Sequence, residues 1–190
     1  MSIDIIQEQE ITDKDYSKSA LPKNEYENCD FINCKFSNSD LSAINFVGCT
    51  FVNCDLSNAD ISNTAFREVV FKNCKLLGLH FDDCNKLLLA VAFESCRLNF
   101  SSFYKLNLKK TKFTECTLHE VSFIETDLTA AEFDNCDFTG ATFENTILEK
   151  TDFRTSFNYS IDPELNKIRK AKFSLIGAIG LLDKYNIEIE

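Results

Sequence analysis

The stretch TKFTE CTLHE VSFIE TDLTA AEFDN CDFTG ATFEN TILEK TDFRT, residues 111–155, divides into groups of five. The third residue of every group is Phe or Leu, and the first is small or β-branched. A period of five fits neither an α-helix nor a strand, because apolar residues recur every three or four positions in the first and alternate in the second. Each group is therefore expected to direct two side chains inward, one large and one small, as in a stack of repeated units.

The same spacing extends through most of the chain. The large positions form one run from Tyr26 to Phe81 and a second from Leu88 to Phe153, separated by a slip of two residues. Fifteen of the 18 Phe residues occupy large positions, so we expect an aromatic interior. All nine Cys residues occupy the small position. Because a buried Cys behaves as a small hydrophobe, we expect nine free thiols and no metal site.

The repeated units identify a known architecture by resemblance. Units such as Cys29-Asp30-Phe31, Ala59-Asp60-Ile61 and Ala131-Glu132-Phe133 resemble the pentapeptide-repeat family, whose pattern is a small residue, Asp or Asn, Leu or Phe, and two polar residues. The resemblance covers residues 24–155. It implies an all-β fold, a right-handed quadrilateral parallel β-helix of about seven coils, in which four groups of five make one square coil.

One such coil has twenty residues, and the sequence contains that longer period. A single column is Phe in seven coils, provided that two residues bulge out between Phe81 and Phe93; its members are Phe31, Phe51, Phe71, Phe93, Phe113, Phe133 and Phe153. We place this small bulge within residues 82–92 and predict that the column runs straight through it. The predicted organisation is an N-terminal cap at residues 1–20, the β-helix at 21–155, and a C-terminal helical segment at 156–190 that serves dimerisation or capping.

Composition and motifs argue against several classes of function. The net charge of −10 disfavours direct nucleic-acid binding, which needs Lys and Arg to neutralise phosphates. No apolar run approaches the length of a membrane span, and the first residues lack a basic region before an apolar one, so we expect a cytoplasmic protein with no membrane contact. The sequence has no Gly-rich phosphate loop or nucleophile motif, and a filled rod offers no cleft. We therefore expect no enzymatic activity, no cofactor and no small-molecule substrate.

The acidic residues are concentrated near one end of the repeats. Residues 67–112 carry a net charge of +5, whereas residues 113–153 carry ten acids and one base. This concentration favours a partner-binding surface, although solubility and protection against edge pairing would also explain an acidic face. Five acids belong to the groups centred on the Phe column and are predicted to form one partner-binding face: Glu94, Glu115, Glu132, Asp134 and Asp152.

The tail has a different pattern from the repeats. Asp162-Pro163-Glu164 is typical of a helix start, and Phe173–Tyr185 is predicted as an α-helix that is apolar around most of its circumference. Gly177 and Gly180 would allow close backbone approach. The helix either caps the open end of the solenoid or forms a homodimer interface. The predicted interface residues are Phe173, Leu175, Ile176, Ile179, Leu181, Leu182 and Tyr185.

Two segments of the tail, Ile161–Ile168 and Ser174–Ile187, are similar to the gyrase-protecting branch of the family, which includes the Qnr quinolone-resistance proteins and the microcin B17 immunity protein. The resemblance implies a DNA mimic that forms a homodimer through its tail. It also implies a protein that binds DNA gyrase or topoisomerase IV and protects it from a poison, either a quinolone or a peptide toxin. The small bulge and the net positive middle coils depart from this branch. The alternative is a generic protein-interaction scaffold with an acidic surface and no topoisomerase target.

Overall fold

The computed structural model describes residues 4–188 and consists of short strands joined by tight turns. Of the predicted N-terminal cap, residues 1–3 lie outside the described residues, as do residues 189–190 of the predicted C-terminal segment. Each strand is three or four residues long because the chain turns at every corner of the coil. The strands are β1 (Ile5–Gln7), β2 (Glu10–Thr12), β3 (Glu25–Glu27), β4 (Asp30–Ile32), β5 (Asn45–Val47), β6 (Thr50–Val52), β7 (Ala65–Arg67), β8 (Val69–Lys72), β9 (Val91–Glu94), β10 (Lys112–Thr114) and β11 (Glu132–Asp134).

Two parallel sheets form two sides of a rod. The first has the order β1-β3-β5-β7 and the second the order β11-β10-β9-β8-β6-β4-β2, so the seven strands of the second sheet are separated by six turns of the chain. Paired residues lie twenty positions apart, as in Phe31 with Phe51, which is the predicted coil length. Isolated bridges such as Lys35 with Asp55 continue the same stacking on the other sides. The prediction of an all-β parallel solenoid is therefore confirmed.

The four sides are called faces 1 to 4 in chain order. Each face carries one column of inward residues. Face 1 carries the column that contains Tyr26, and face 2 carries the Phe column. Face 3 carries the column that contains Phe36, and face 4 carries the column that contains Leu41. The four inward columns meet at the axis, where nearly all of these side chains are fully buried. Successive rings of the Phe column stack with centroid separations between 4.7 and 5.5 Å. This spacing matches the separation of neighbouring strands in a sheet.

The predicted bulge leaves the coil intact. Ala65 bridges Asn85 twenty residues away, whereas Val69 pairs with Val91 twenty-two residues away, so two extra residues are absorbed between Asn85 and Val91. The rings of Phe71 and Phe93 stack at 5.5 Å, which confirms that the column continues through the bulge.

The inward position assigned to Leu88 is wrong. Leu88 is 68% exposed, and its neighbour Leu87 is 65% exposed. Leu89 packs against the core in its place. The physical reason is the backbone: Leu88 adopts a left-handed φ of 60°, which makes it the corner residue of its coil. A corner residue of this solenoid points away from the axis.

Left-handed residues mark the corners throughout the rod. Asn tolerates this conformation better than most residues because its short side chain can hydrogen-bond locally. At the corner after face 2, Asn33, Asn53 and Asn73 all have positive φ. Asn73 Nδ2 donates to Asn53 Oδ1 at 2.7 Å, and Asn53 Nδ2 donates to Asn33 Oδ1 at 3.2 Å. The recurring Asn of the sequence therefore serves both the turn and the stacking of adjacent coils.

The stacking continues beyond residue 155. The ring of Phe173 lies parallel to that of Phe153 at 5.4 Å, and Phe173 extends the Phe column by one ring. Asn166 is buried in a small inward position. Its Oδ1 accepts from the backbone N of Thr146 at 2.9 Å, and its Nδ2 donates to the carbonyl of Phe143 at 2.9 Å. An amide thus replaces the Cys, Ala or Thr of other coils and satisfies the backbone groups exposed there.

The predicted C-terminal α-helix is wrong. Two short 3₁₀ helices, Gly177–Leu181 and Asp183–Tyr185, occupy part of that region, and Asp162–Glu164 forms a turn instead of a helix start. The α-helix is excluded because Phe173 is held in the solenoid column and the following residues fold back onto the last coil. None of the helices within residues 4–188 has the length and apolarity that crossing a membrane requires.

Candidate protein-interaction surface

The five predicted acids lie on or beside face 2. Strand register places Glu132 beside Lys112 and places Asp134 and Glu94 on either side of Thr114. A bridge places Asp152 next to Glu132. Glu115 occupies the corner after face 2, where its φ is 53°. The structure therefore brings all five together, as predicted from their positions in the groups centred on the Phe column.

Basic side chains neutralise much of this acidic face. Nζ of Lys72 lies 3.5 Å from Oε2 of Glu94, and Nζ of Lys112 lies 3.5 Å from Oε2 of Glu132. Asp152 pairs with Arg154 at 2.8 Å and with Lys172 at 3.4 Å. Exposed pairs of this kind contribute little to stability, but they lower the negative potential of the face. The three lysines come from adjacent coils, and Arg154 comes from the same coil as Asp152, so a count along residues 113–153 overstates the local charge.

Two carboxylates of the acidic coils, residues 113–153, have strongly lowered pKa values. Hydrogen bonds from Arg154, opposed by partial burial, lower the pKa of Asp152 to about 2. Partial burial acts to raise the pKa of Asp137, but hydrogen bonds from Thr139, Asn158 and His119 outweigh it and lower that pKa to about 2. Both groups are therefore anionic under all ordinary conditions, and neither is poised for acid–base chemistry near neutral pH.

The acids without a basic partner are distributed around the rod. Among the acids of residues 113–153, five make no ion pair with any residue that the structure describes: Glu115, Glu120, Asp134, Glu144 and Glu149. Only Glu115 and Asp134 belong to face 2 and its corner. Ser95 donates to Glu115 at 3.0 Å and Thr155 donates to Asp134 at 2.9 Å, and neither hydroxyl donor carries a positive charge that would offset the carboxylate. The uncompensated charge forms a collar around this end of the rod and not a single face.

The cysteines lie inside the rod and not on its surface. All nine are buried, free thiols. Burial raises the pKa of Cys49 to about 11 and that of Cys84 to about 12, so neither forms the thiolate that nucleophilic attack requires. Across residues 4–188, no group of three or more His, Cys, Asp or Glu side chains could hold a metal ion.

The seven residues of the predicted dimer interface fall into two groups, one packed on the core and one exposed. Phe173 and Leu181 pack against the core of their own chain. The other five are exposed, with Leu175 at 91% and Ile176 at 82%; the remaining three are Ile179, Leu182 and Tyr185. An interface through the tail would therefore use these five residues.

The tail is fastened to the last coil by close contacts. A Cβ atom on Gly180 would lie 2.0 Å from the carbonyl oxygen of Tyr159, and one on Gly177 would meet the Tyr159 hydroxyl. The carbonyl of Gly180 accepts from Ile161 N at 3.0 Å. Lys184 binds Asp162 at 2.7 Å and Glu164 at 2.8 Å. The close approach anticipated for the two glycines is thus made with the tail's own rod.

Sequence reasoning missed three exposed apolar residues within the predicted β-helix at residues 21–155. These are Leu87, Leu88 and Phe100, of which Phe100 is 59% exposed. Phe100 lies two residues after Leu98, at a corner with a φ of 63°. The periodicity itself carries this signal, because a residue two positions after a large inward residue is at a corner.

Comparison with protein-family models agrees with this architecture. The model of a family described as "Pentapeptide repeat region" matches residues 25–87 and 86–158. The search of curated proteins gives no match. Among solved structures, a trypsin-treated variant of QnrB1, a plasmid-mediated fluoroquinolone resistance protein, shares 21% identity with a TM-score of 0.48, and the match covers 98% of this chain and 100% of that one. HetL of the cyanobacterium Nostoc sp. strain PCC 7120, involved in heterocyst differentiation regulation, shares 15% identity with a TM-score of 0.39, covering 90% and 87%.

Proposed function

This chain belongs to the pentapeptide-repeat family, and we propose that it is a non-enzymatic, DNA-mimicking rod that binds a type II topoisomerase. Its target would be DNA gyrase or topoisomerase IV in the cytoplasm. It would protect the enzyme from a poison, either a quinolone or a peptide toxin. The proposal continues the resemblance of the tail sequence to the gyrase-protecting branch.

The observation that carries the proposal is the accumulation of acid at one end of a filled rod. Residues 113–153 have a net charge of −9, and the uncompensated carboxylates surround those coils. The six turns that separate the seven strands of the second sheet, at about 4.8 Å each, span about 29 Å, close to eight or nine base pairs of B-DNA. DNA would carry about seventeen charges over this length, so a chain with a net charge of −10 would imitate it at somewhat over half density overall and at higher density in the acidic coils.

Such charge would act mainly on association. A basic DNA-binding surface attracts an acidic rod over several ångströms, so binding should be fast at low salt and slower at high salt. The ion pairs of Glu94, Glu132 and Asp152 reduce this attraction on face 2. The uncompensated Glu115 and Asp134 are therefore the face-2 acids most important for binding.

The test is gyrase supercoiling with and without a poison. We expect the protein to restore supercoiling in the presence of either a quinolone or a gyrase-directed peptide toxin. Direct binding to gyrase should weaken when Glu115→Lys and Asp134→Lys are combined. The control is Asp40→Lys with Asp60→Lys on face 4 of the N-terminal coils, where Asp40 already pairs with Lys23 at 2.9 Å, and it should weaken binding much less. If neither pair changes binding and no poison is relieved, the topoisomerase proposal fails.

The alternative is a protein-interaction scaffold with another target. The observation that favours it is the pairing of the face-2 acids with lysines and arginines, because a DNA mimic gains from unpaired charge. A scaffold would bind neither topoisomerase in the assay above. Its acidic collar would then serve solubility, and reversing Glu115 and Asp134 would change aggregation at low salt instead of gyrase binding.

We also propose homodimerisation through the tail, with the exposed set reduced to Leu175, Ile176, Ile179, Leu182 and Tyr185. Replacing the two most exposed of these, Leu175→Asp with Ile176→Asp, should give a monomer without unfolding the rod. Sedimentation equilibrium measures the mass directly. A dimer that persists at the same protein concentration and at high salt would contradict a tail interface.

A further inference from the structure

One corner of the rod reverses its charge halfway along its length. The residues at the corner between faces 1 and 2 all have left-handed φ values and stack in one row, called the corner row: Glu8, Asn28, Gly48, Glu68, Leu88, Lys110, Ala130, Lys150 and Lys170. Backbone hydrogen bonds tie the levels together within each half, as in Asn28 N to the carbonyl of Val47 and Lys150 N to that of Arg169, whereas Leu88 lies in the bulge, where Val69 N donates instead to the carbonyl of Ala90. The charged members of the lower half are acidic, and those of the upper half are basic.

The charges of the corner row are free to meet a partner. Glu8, Glu68, Lys110, Lys150 and Lys170 are all exposed. None of them forms an ion pair with any side chain among residues 4–188. Most other lysines on the rod do have a carboxylate partner within 4 Å, for example Lys72, Lys109 and Lys112. The corner row is therefore a strip whose charged side chains have no ion-pair partner within residues 4–188. Its lower half is acidic and its upper half is basic.

We propose that the corner row associates with the corner row of a second copy of this chain, with the two rods antiparallel. A two-fold axis at the level of Leu88 and perpendicular to the rod would exchange the two halves of the row, so each acidic half would face a basic half. Such an isologous contact is self-complementary by symmetry. The second copy is the occupant that fits because the row is complementary to itself when reversed and carries four levels on each side of Leu88.

Two of the four pairs of levels bring opposite charges together, and a third places Asn28 opposite Lys150. Reversal about Leu88 places Glu68 opposite Lys110 and Glu8 opposite Lys170. It places Gly48 opposite Ala130, where two small residues allow the rods to approach closely. At the axis, Leu87 and Leu88 would contact their symmetry copies and bury apolar surface that is 65% and 68% exposed in the single chain.

The contact should be weak and sensitive to salt. Nine levels at about 4.8 Å span about 38 Å, and a strip about 10 Å wide buries about 400 Å² on each rod, less than a stable dimer requires. On the neighbouring row of face 1, Glu27 would lie opposite Glu149, which reduces the attraction. We therefore expect reversible association at high protein concentration in low salt, and its loss at about 0.5 M salt, where the screening length falls below about 5 Å.

The test is a charge-swap experiment in the full-length chain. Leu175→Asp and Ile176→Asp are included in every protein so that any tail contact is removed. In this background, Lys110→Glu alone and Glu68→Lys alone each place like charges at two symmetric positions. Each should weaken self-association by roughly tenfold at low salt. Mixing the two variants places Glu opposite Lys at both positions, so the mixture should associate as well as the parent. The measurement is sedimentation velocity of each variant, the parent and the mixture.

A matched control separates this contact from general charge effects. Glu120→Lys changes the charge as Glu68→Lys does, at an exposed corner residue with a φ of 54° that lies after face 3. It should leave self-association within about twofold of the parent. The proposal is overturned if the mixture associates no better than its components, if Glu120→Lys weakens association equally, or if the parent is monomeric at low salt at all concentrations.

Discussion

Replacement of Phe113 by Ala should remove a large part of the stability of the rod. The ring of Phe113 is fully buried and stacks on Phe93 at 5.0 Å and on Phe133 at 4.7 Å. It also meets Phe103 at 6.0 Å and Phe123 at 6.3 Å, edge to face. Burial of one Phe is worth about 1.5–3 kcal/mol, and four aromatic contacts and the resulting cavity add to this. We expect a loss of about 3–5 kcal/mol.

The assay is equilibrium unfolding in urea followed by circular dichroism. Phe100→Ala is the matched control, because the same residue type is 59% exposed at a corner and its loss should cost less than about 0.5 kcal/mol. A shift in the unfolding midpoint that is similar for the two variants would refute the stacked aromatic core as the main source of stability. So would a loss below about 1 kcal/mol for Phe113→Ala, since no rearrangement of neighbouring rings could fill a cavity of that size without cost.

Three further predictions follow from the contacts described above. Gly180→Ala should detach the tail, because its Cβ would lie 2.0 Å from the Tyr159 carbonyl oxygen, and trypsin cleavage after Lys184 should accelerate without a change in rod stability. The pKa values of Asp137 and Asp152 are lowered to about 2 in the folded protein, so the ionised carboxylates stabilise the fold at any pH above the unfolded pKa of about 3.9. This stabilisation should be lost as the pH falls from about 4 to about 2. Thermal melts of Asp137→Asn and Asp152→Asn should therefore depend less on acid than those of the parent. The nine buried thiols should react with a disulfide reagent only after unfolding, and a fast reaction of any thiol in the native protein would contradict the burial of that residue.

The sequence predicts the regular part of the rod well because the fold repeats a single local rule. A period of five specifies which side chains point inward, and a period of twenty specifies which of them stack. The Phe column was therefore predictable ring by ring from Phe31 to Phe153, including the step across the bulge between Phe71 and Phe93. No long-range information is needed, because each coil contacts only the coils next to it.

The tail could not be read in the same way. Apolar residues at Leu175, Ile179 and Leu182 have helical spacing, but the chain around them is also constrained by Phe173, which continues the twenty-residue period. Tertiary stacking overrides the local helical pattern there. A sequence reading that extended the Phe column by one more step of twenty would have found Phe173.

The acidic face shows a different limit of sequence reasoning. The column arithmetic places Glu132 and Asp152 side by side, as the structure has them. It does not readily show that Lys172, twenty residues further on, reaches back to Asp152, because the tail was treated as a separate element. Charge on a solenoid must be counted by face and not by segment.

The two-residue bulge has a consequence for how this chain can change its length. An insertion of five residues would turn everything above it by a quarter of a circle and carry every outward residue to a different face. An insertion of twenty would lengthen the rod by one coil and leave each face in line. The bulge between Asn85 and Val91 belongs to neither class, because its extra residues are absorbed at a corner and the register of β8 with β9 is kept. Loops of other sizes could be accepted at the same corner, so new surface can be added to this protein without rotating one half of the rod against the other.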